Sequence, residues 1–305
     1  MKEILEEILS ECSQYTKEGS VACYIPELSK ADPDDFGICI MSDNGKYDLA
    51  GDHDKPFTIQ SIIKPIILLL ALEDQGEESV RKICGIEATG KPFDAFNYSD
   101  RALTNEHINP MINAGAISLC TLIKGADKEE KFSRLLDLTK KLSSNPTLTV
   151  NESVYLSERA TGNKNRALAY MLKAYGIIDG NIEDILEIYF KACSIQVTCK
   201  DLASIAFVLA NHGRSAIDSE TIISERYARY VNAVMTICGM YDGAGEFAIK
   251  VGIPAKSGVG GGIMACVPSR MGIGIYSPSL DNKGNSCAGI KALEMLSKKQ
   301  RLSIF

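Results

Sequence analysis

The chain has no CxxC pair, no basic block and no apolar run long enough to cross a membrane. Each absence excludes something. Its ten cysteines are scattered, and Cys39, Cys120 and Cys266 sit beside apolar neighbours. Without metal-type spacing they read as reduced core residues of a reducing compartment. The three histidines, His53, His107 and His212, share no spacing that suggests a metal site. His212, just before Gly213, reads as a surface histidine at a helix end. Lys and Arg number 33 against 39 Asp and Glu, a net charge of −6. That balance excludes a nucleic-acid partner and an anionic membrane as expectations. The apolar stretch 59–72 is interrupted by Lys64 and Pro65, so it falls short of a membrane span. The start, Met1-Lys2-Glu3-Ile4-Leu5-Glu6-Glu7, is acidic and helical in pattern, with no apolar core like that of a signal peptide. A cytoplasmic protein is expected. There is no internal repeat, low-complexity segment or long linker.

What is there is ordinary globular material: 305 residues, 45% hydrophobic and 24% charged, enough for one large domain or two smaller ones. Leu5, Ile8, Leu9 and Cys12 form a helical stripe. Residues 35–42 and 46–51 flank Asp43-Asn44-Gly45, a hairpin signal in which Asn-Gly supplies positive φ. From Ser61 to about Gly239 the pattern is almost wholly helical. Pro110 reads as the first-turn proline of a helix over 111–124. Asp127 with Glu130, and Thr198 with Asp201, resemble capping boxes. Gly176 and Gly213 read as helix stops. Beyond Gly243, segments 247–253, 262–267 and 271–276 are short, β-prone and separated by Pro or Gly. Residues 286–299 close the chain as an amphipathic helix. An α+β fold is expected: one five-stranded antiparallel sheet carrying both terminal helices, with an inserted all-helical lobe. The discontinuous sheet lobe would comprise residues 1–60 and 240–305, and the helical lobe residues 61–239, with the site between them.

Two motifs carry chemistry. Ser61-Ile62-Ile63-Lys64 opens the apolar run. Residues three apart share a helix face, and a desolvated lysine can take a proton from a neighbouring serine. Ser-x-x-Lys at a helix start is the nucleophile motif of the penicillin-recognising enzymes. Their second motif is a Lys-Thr/Ser-Gly triad on an edge strand facing the nucleophile, and Lys256-Ser257-Gly258 lies among the late strands. The N–H groups of Ser61 and Val259 would form an oxyanion hole, a feature that contributes about 2.7–4 kcal/mol per donor. Gly258-Val259-Gly260-Gly261-Gly262 does not match a GxGxxG phosphate loop, and no strand–loop–helix unit follows it. Pro65 has no N–H, so the Ser61 carbonyl loses its i+4 donor, and a distorted first turn is expected there.

Around these motifs the sequence resembles the serine-dependent glutaminases, bacterial and kidney types alike, over nearly its whole length. The blocks that carry the resemblance are Val21-Ala22-Cys23-Tyr24-Ile25-Pro26, residues 57–65, Asn109-Pro110-Met111-Ile112-Asn113-Ala114-Gly115-Ala116-Ile117, residues 157–166 and residues 256–262. The resemblance implies hydrolysis of L-glutamine to L-glutamate and ammonia, a β-lactamase/transpeptidase-like fold, no cofactor and no metal, and a homodimer or homotetramer. By position it implies Ser61 as nucleophile, Lys64 as its partner and Tyr24 as general acid/base. Gln60, Ser61, Asn113, Glu158, Asn165, Tyr189, Tyr241 and Val259 match the substrate-binding set. Lys256, Ser257 and Gly258 would support them. There is no Ser-Asp-Asn motif in the helical block, which favours the tyrosine route over a β-lactamase mechanism.

The residue types suit the task. Glu158 can pair with an α-ammonium, and Asn113 and Asn165 can donate to a carboxylate. Such a site rejects amides that lack the α groups, because its buried polar atoms would then go unpaired. Each residue also has a plainer local reading. Tyr24 and Tyr189 could be packing residues, and Asn113 a polar residue near a tight helix contact. Glu158 could pair with Arg159 or Lys164 on the surface. Asn165 could cap a helix over 166–175, and Tyr241 could be a loop residue. Two other functions fit parts of the pattern: a penicillin-type hydrolase, which should carry an export signal, and a non-catalytic glutamine-binding protein. Whether Tyr24 or Lys64 takes the Ser61 proton stays open at this level.

Overall fold

The computed structural model describes residues 1–43, 45–88 and 104–305. Five antiparallel strands form the main sheet: β1 (Gly37–Ser42), β2 (Tyr47–Gly51), β5 (Ala255–Ser257), β6 (Gly262–Val267) and β7 (Met271–Tyr276), in the order β2-β1-β7-β6-β5. A two-residue ribbon pairs β3 (Phe57–Thr58) with β4 (Gln196–Val197). Asn44, at the tip of the expected hairpin, lies outside the described residues, but β1 and β2 pair in register from Gly37–Gly51 to Met41–Tyr47.

Strand alternation decides what each face carries. Ile38, Ile40, Ile263, Ala265, Ile273 and Ile275 point to a core shared with helices Lys2–Cys12 and Cys287–Gln300. Cys39, Met41, Met264 and Cys266 point the other way, into the core of the helical block. On that second face the buried helix Cys199–Ala210 lies directly on the backbone of β7. A Cβ at Gly272 would sit 2.1 Å from the Ala203 carbonyl oxygen, and one at Gly274 would sit 2.1 Å from that of Cys199. Thr198 and Asp201 start this helix with a complete capping box. Gly272→Val is therefore expected to lower stability by at least about 3 kcal/mol, the upper range for overpacking. Urea unfolding measures it, and a loss below about 1 kcal/mol would show that the helix can slide off the sheet.

Two elements differ from the sequence expectation. Residues 247–253 do not form a strand; Ala244–Lys250 is a helix, and the edge strand is β5. Phe247 and Val251 are buried four residues apart, Ile249 between them is 88% exposed, and Lys250 pairs with Glu246 one turn back. The period is helical although the residue types favour strands. The helix expected over 111–124 is shorter, Asn113–Cys120. Pro110 lies in the turn before it, where the Met111 N–H donates to Asn109 Oδ1 at 3.0 Å. Asp127 caps the helix Lys128–Ser143 by accepting from the Glu130 N–H, but Glu130 turns back to the Ala126 N–H, so the box there is half formed. All ten cysteines are free and eight are buried. Among the described residues no helix is long and apolar enough to cross a membrane.

Candidate active site

The chain reaches Ser61 through a strained approach. After β3, the Ile59 N–H donates to the Ile195 carbonyl at 2.8 Å. This ties the segment to the end of helix Ile182–Cys193. Gln60 then takes a left-handed φ of 49°, an unfavourable conformation for a residue with a Cβ. Gln60–Ile63 forms a 3-10 turn, and the Lys64 N–H, not that of residue 65, donates to the Ser61 carbonyl. Pro65 dictates this, as the sequence requires: it cannot donate, so the turn tightens to reach the nearer N–H. The α-helix proper runs from Lys64 to Ile83, with Gly76 non-helical inside it.

Ser61 is 6% exposed and Lys64 is fully buried. Lys64 Nζ donates to Asn113 Oδ1 at 2.7 Å. Asn113 Nδ2 in turn donates to Asn165 Oδ1 at 2.8 Å, and the Tyr189 hydroxyl donates to the same Asn113 oxygen at 3.2 Å. Three helices meet in this chain of bonds: Asn113 opens Asn113–Cys120, Asn165 lies in the first turn of Asn163–Ala174, and Tyr189 lies on Ile182–Cys193. Glu158, on helix Glu152–Thr161, is buried rather than paired at the surface. Burial pushes its carboxyl up to about 8, against the pull of the Lys64 charge and a hydrogen bond with Gln60. Its Oε2 is buried without a hydrogen-bond partner.

The glycine-rich edge packs against the turn that carries Ser61. Gly258 and Gly260 lie against residues 58–62: a Cβ at Gly260 would stand 2.6 Å from the Thr58 carbonyl oxygen, and one at Gly258 would stand 2.9 Å from that of Ile59. The Gly261 N–H closes a turn on the Gly258 carbonyl at 2.9 Å. The Val259 N–H is not part of that bond. Next to it Lys256 and Ser257 are fully buried. Lys256 Nζ donates to the Ser257 carbonyl at 2.5 Å and sits 4.1 Å from the centre of the Tyr241 ring. Burial, followed by the nearby Lys64 charge, holds the Lys256 ammonium well below its ordinary pKa.

Tyr241 is more than a loop residue: it has a specific backbone and a buried side chain. Its φ is 54°. Its hydroxyl donates to the Ser257 carbonyl at 3.1 Å. Burial raises its pKa, and a side-chain hydrogen bond with Ser61 opposes that rise. It stands there because residue 239 covers the outer edge of β5: the Ser257 N–H donates to the Gly239 carbonyl at 3.2 Å.

A cavity of about 320 Å³ gathers Tyr24, Gln60, Ser61, Asn113, Glu158, Asn165 and Tyr189. Tyr24 is 54% exposed, whereas Tyr189 is buried. Val259 and Tyr241 do not line this cavity; the Val259 side chain packs with Ile25 in a small apolar cluster, and Tyr241 stands behind Ser61. Thr161, Gly162, Asn163 and Lys164, from the block 157–166 that carries the resemblance, also line it, as does Cys193, which nothing in the sequence singles out. Gly162 separates helices Glu152–Thr161 and Asn163–Ala174, and a Cβ there would meet Phe190 at 2.6 Å. Cys193 bonds with the Tyr189 hydroxyl, and burial raises its thiol pKa well above the ordinary value. Among the described residues, no three His, Cys, Asp or Glu side chains are grouped to hold a metal ion.

The cavity brings together a buried hydroxyl, a hydrogen-bonded chain that starts from buried Lys64, and a carboxylate with one unpartnered oxygen. A family model described as glutaminase matches residues 19–305. The chain is 52% identical to a glutaminase of Clostridium tetani and 50% identical to glutaminase 2 of Clostridium perfringens, each over 305 residues and the full length of both chains. It also resembles the solved Bacillus subtilis glutaminase in covalent complex with 5-oxo-L-norleucine, formed by reaction with 6-diazo-5-oxo-L-norleucine. That match has a TM-score of 0.90 at 36% identity, over 99% of this chain and 98% of the other. The fold is β-lactamase-like, and the chain belongs to the glutaminase family.

Proposed function

We propose that the protein hydrolyses the side-chain amide of L-glutamine to L-glutamate and ammonia through an acyl-enzyme on Ser61. The observation that carries this is the buried Ser61 at one end of a cavity whose polar wall includes the partnerless Oε2 of Glu158. Glu158 receives the α-ammonium, and Asn113 and Asn165 orient the other polar groups of the substrate. Gln60 and Tyr189 complete the wall. Ser61 Oγ attacks the amide carbon, and the N–H groups of Ser61 and Val259 hold the oxyanion. The Ser61 amide lies in a first turn, where a helix leaves its donors without acceptors of its own. Lys64 and Tyr241 lie next to Ser61 and can relay its proton. Tyr24, half exposed in the lining of the cavity, delivers a proton to the leaving ammonia. Water then hydrolyses the γ-glutamyl ester. Lys256, Ser257 and Gly258 hold the edge strand and keep positive charge near the developing anion.

The two-lobe division at residues 60 and 240, a cytoplasmic location and a homodimer or homotetramer belong to the same proposal. Light scattering measures the last of these. The central test is covalent labelling. A diazo-ketone analogue of glutamine should add one mass equivalent to the peptide carrying Ser61 and none to Ser61→Ala. Labelling of any other residue, with Ser61 unmodified, would defeat the proposal.

A further inference from the structure

Tyr24 lines the cavity from a stretch with little regular structure to hold it. Residues 21–25 belong to neither a helix nor a strand, and the Tyr24 ring is 54% exposed. The ends of the stretch are pinned by hydrogen bonds. Upstream, Ser20 and Leu280 exchange backbone bonds in both directions, at 3.0 and 2.9 Å. Downstream, Pro26 opens the 3-10 turn Pro26–Lys30, in which the Leu28 N–H donates to the Ile25 carbonyl at 2.9 Å. The Glu27 N–H donates to Ser157 Oγ at 3.4 Å. Between those ends, Ile25 alone is buried, at 2% exposure.

Ile25 joins Leu28, Val154, Val259 and Leu280 in a small apolar cluster, separate from both large cores. Two members of that cluster stand on backbone that is held independently. Val154 lies on helix Glu152–Thr161, one turn before Glu158. Val259 lies in the glycine-rich turn, where the Gly258 N–H donates to the Gly262 carbonyl at 3.0 Å and the Gly261 N–H returns to the Gly258 carbonyl at 2.9 Å. Gly258 and Gly260 on either side press against residues 58–62. The stretch that carries Tyr24 is therefore the partner that gives when the packing is loosened. Ile25 has an extended backbone, with φ −107° and ψ 105°, so its side chain and that of Tyr24 point to different sides. Its β-branch restricts χ1, which makes it a stiff link between the cluster and the adjoining peptide unit. We propose that Ile25 is a positioning residue: its side chain, seated with Val154 and Val259, holds the Tyr24 hydroxyl where protonation of the leaving ammonia requires it. This inference rests on the role proposed for Tyr24.

The groups that hold the substrate lie outside the cluster: Asn113, Glu158 and Asn165 line the cavity but are not part of it. Truncating Ile25 leaves them in place and loosens only the ring. A reacting group displaced by about 1 Å forfeits about 10²-fold in rate, so the loss falls on turnover and not on binding.

The test uses the full-length protein and L-glutamine. Ile25→Ala should lower kcat by about 10- to 100-fold and change KM by less than about threefold. Ile25→Val keeps the β-branch and should hold kcat within about threefold of wild type. Ile25→Leu keeps the volume, so it folds, but moves the branch by one carbon; it should lower kcat by more than about threefold. Leu28→Ala empties the same cluster from a residue whose chain neighbours do not line the cavity. It should lower Tm about as much as Ile25→Ala and leave kcat within about threefold of wild type. A double-mutant cycle supplies the readout that a merely structural role would not move. In a Tyr24→Phe background, Ile25→Ala should cost less than about threefold further in kcat. Wild-type kcat in both Ile25→Ala and Ile25→Leu, an equal loss in Leu28→Ala, or a full additional loss in the Tyr24→Phe background would each overturn the proposal and leave the role of Tyr24 standing. Wild-type kcat in Tyr24→Phe itself would overturn that role, and the proposal with it.

Discussion

Ser61→Ala should lower kcat by about 10⁴–10⁶-fold, the scale seen when a serine nucleophile is removed, with little change in glutamine affinity. The asymmetry follows from placement. In the proposed site Ser61 attacks, whereas Glu158 and the Lys64–Asn113–Asn165 chain hold the ground state. Lys64→Met should fail differently. It removes a buried donor from Asn113 Oδ1 as well as a proton carrier, so both acylation and stability fall. Tyr24→Phe removes only a hydroxyl from a half-exposed ring. Pre-steady-state acylation in these two variants separates their roles. If Lys64→Met acylates at the wild-type rate while Tyr24→Phe is slow by about 10²-fold or more, the proton leaves through the tyrosine. A Ser61→Ala enzyme retaining more than about one per cent of wild-type turnover would remove the acyl-enzyme altogether.

Glu158→Gln should raise KM by roughly 10- to 100-fold above pH 8, the equivalent of one charge-assisted hydrogen bond lost in a buried site. The pH dependence gives the sharper reading. The folded carboxyl titrates at about 8, against 4.5 when exposed. The folded state therefore favours the neutral form: the stabilisation from the bound proton is complete below about pH 4.5 and is lost as pH rises through about 8. Binding an ammonium needs the anion, so wild-type KM should fall as pH rises toward 8. Glu158→Gln should abolish that slope. The same substitution should make the empty protein more stable than wild type in mildly alkaline solution, since no charge is then buried without a partner. Thermal melts and KM measured across pH 6–9 test both signs together. A KM profile parallel to that of the wild type would place the substrate ammonium elsewhere.

How much of this was legible depended on how local each determinant is. Ser-x-x-Lys, Pro65 and Lys256-Ser257-Gly258 act within a few residues, and their consequences, including the tightened turn at Ser61, follow from short-range geometry. The sheet was recoverable from the period of its strands, except where Phe247 and Val251 set a helical period in residues that favour strands. Glu158 and Asn165 gave misleading local signals. Beside Arg159 and Lys164, Glu158 has the look of a surface ion pair, and its burial is set by helices distant in sequence. Asn165 has the look of a cap for 166–175, yet it lies inside a helix that begins at Asn163, and its side chain turns to Asn113. Only the family resemblance pointed to their placement. Cys193 was silent for the same reason: nothing near it in sequence announces a cavity, and its neighbours there come from residues 24, 61, 113 and 158.

The backbone around Ser61 is held by two residues in a conformation that an isolated peptide rarely visits, Gln60 just before it and Tyr241 across from it. Neither segment keeps that shape by its own preference; each is pinned by contacts reaching far along the chain, to Ile195 and to Ser257. On the proposed role of Ser61, reactivity then belongs to the folded state alone: a melted chain carries every required side chain without the backbone shape that sets the hydroxyl in its cavity.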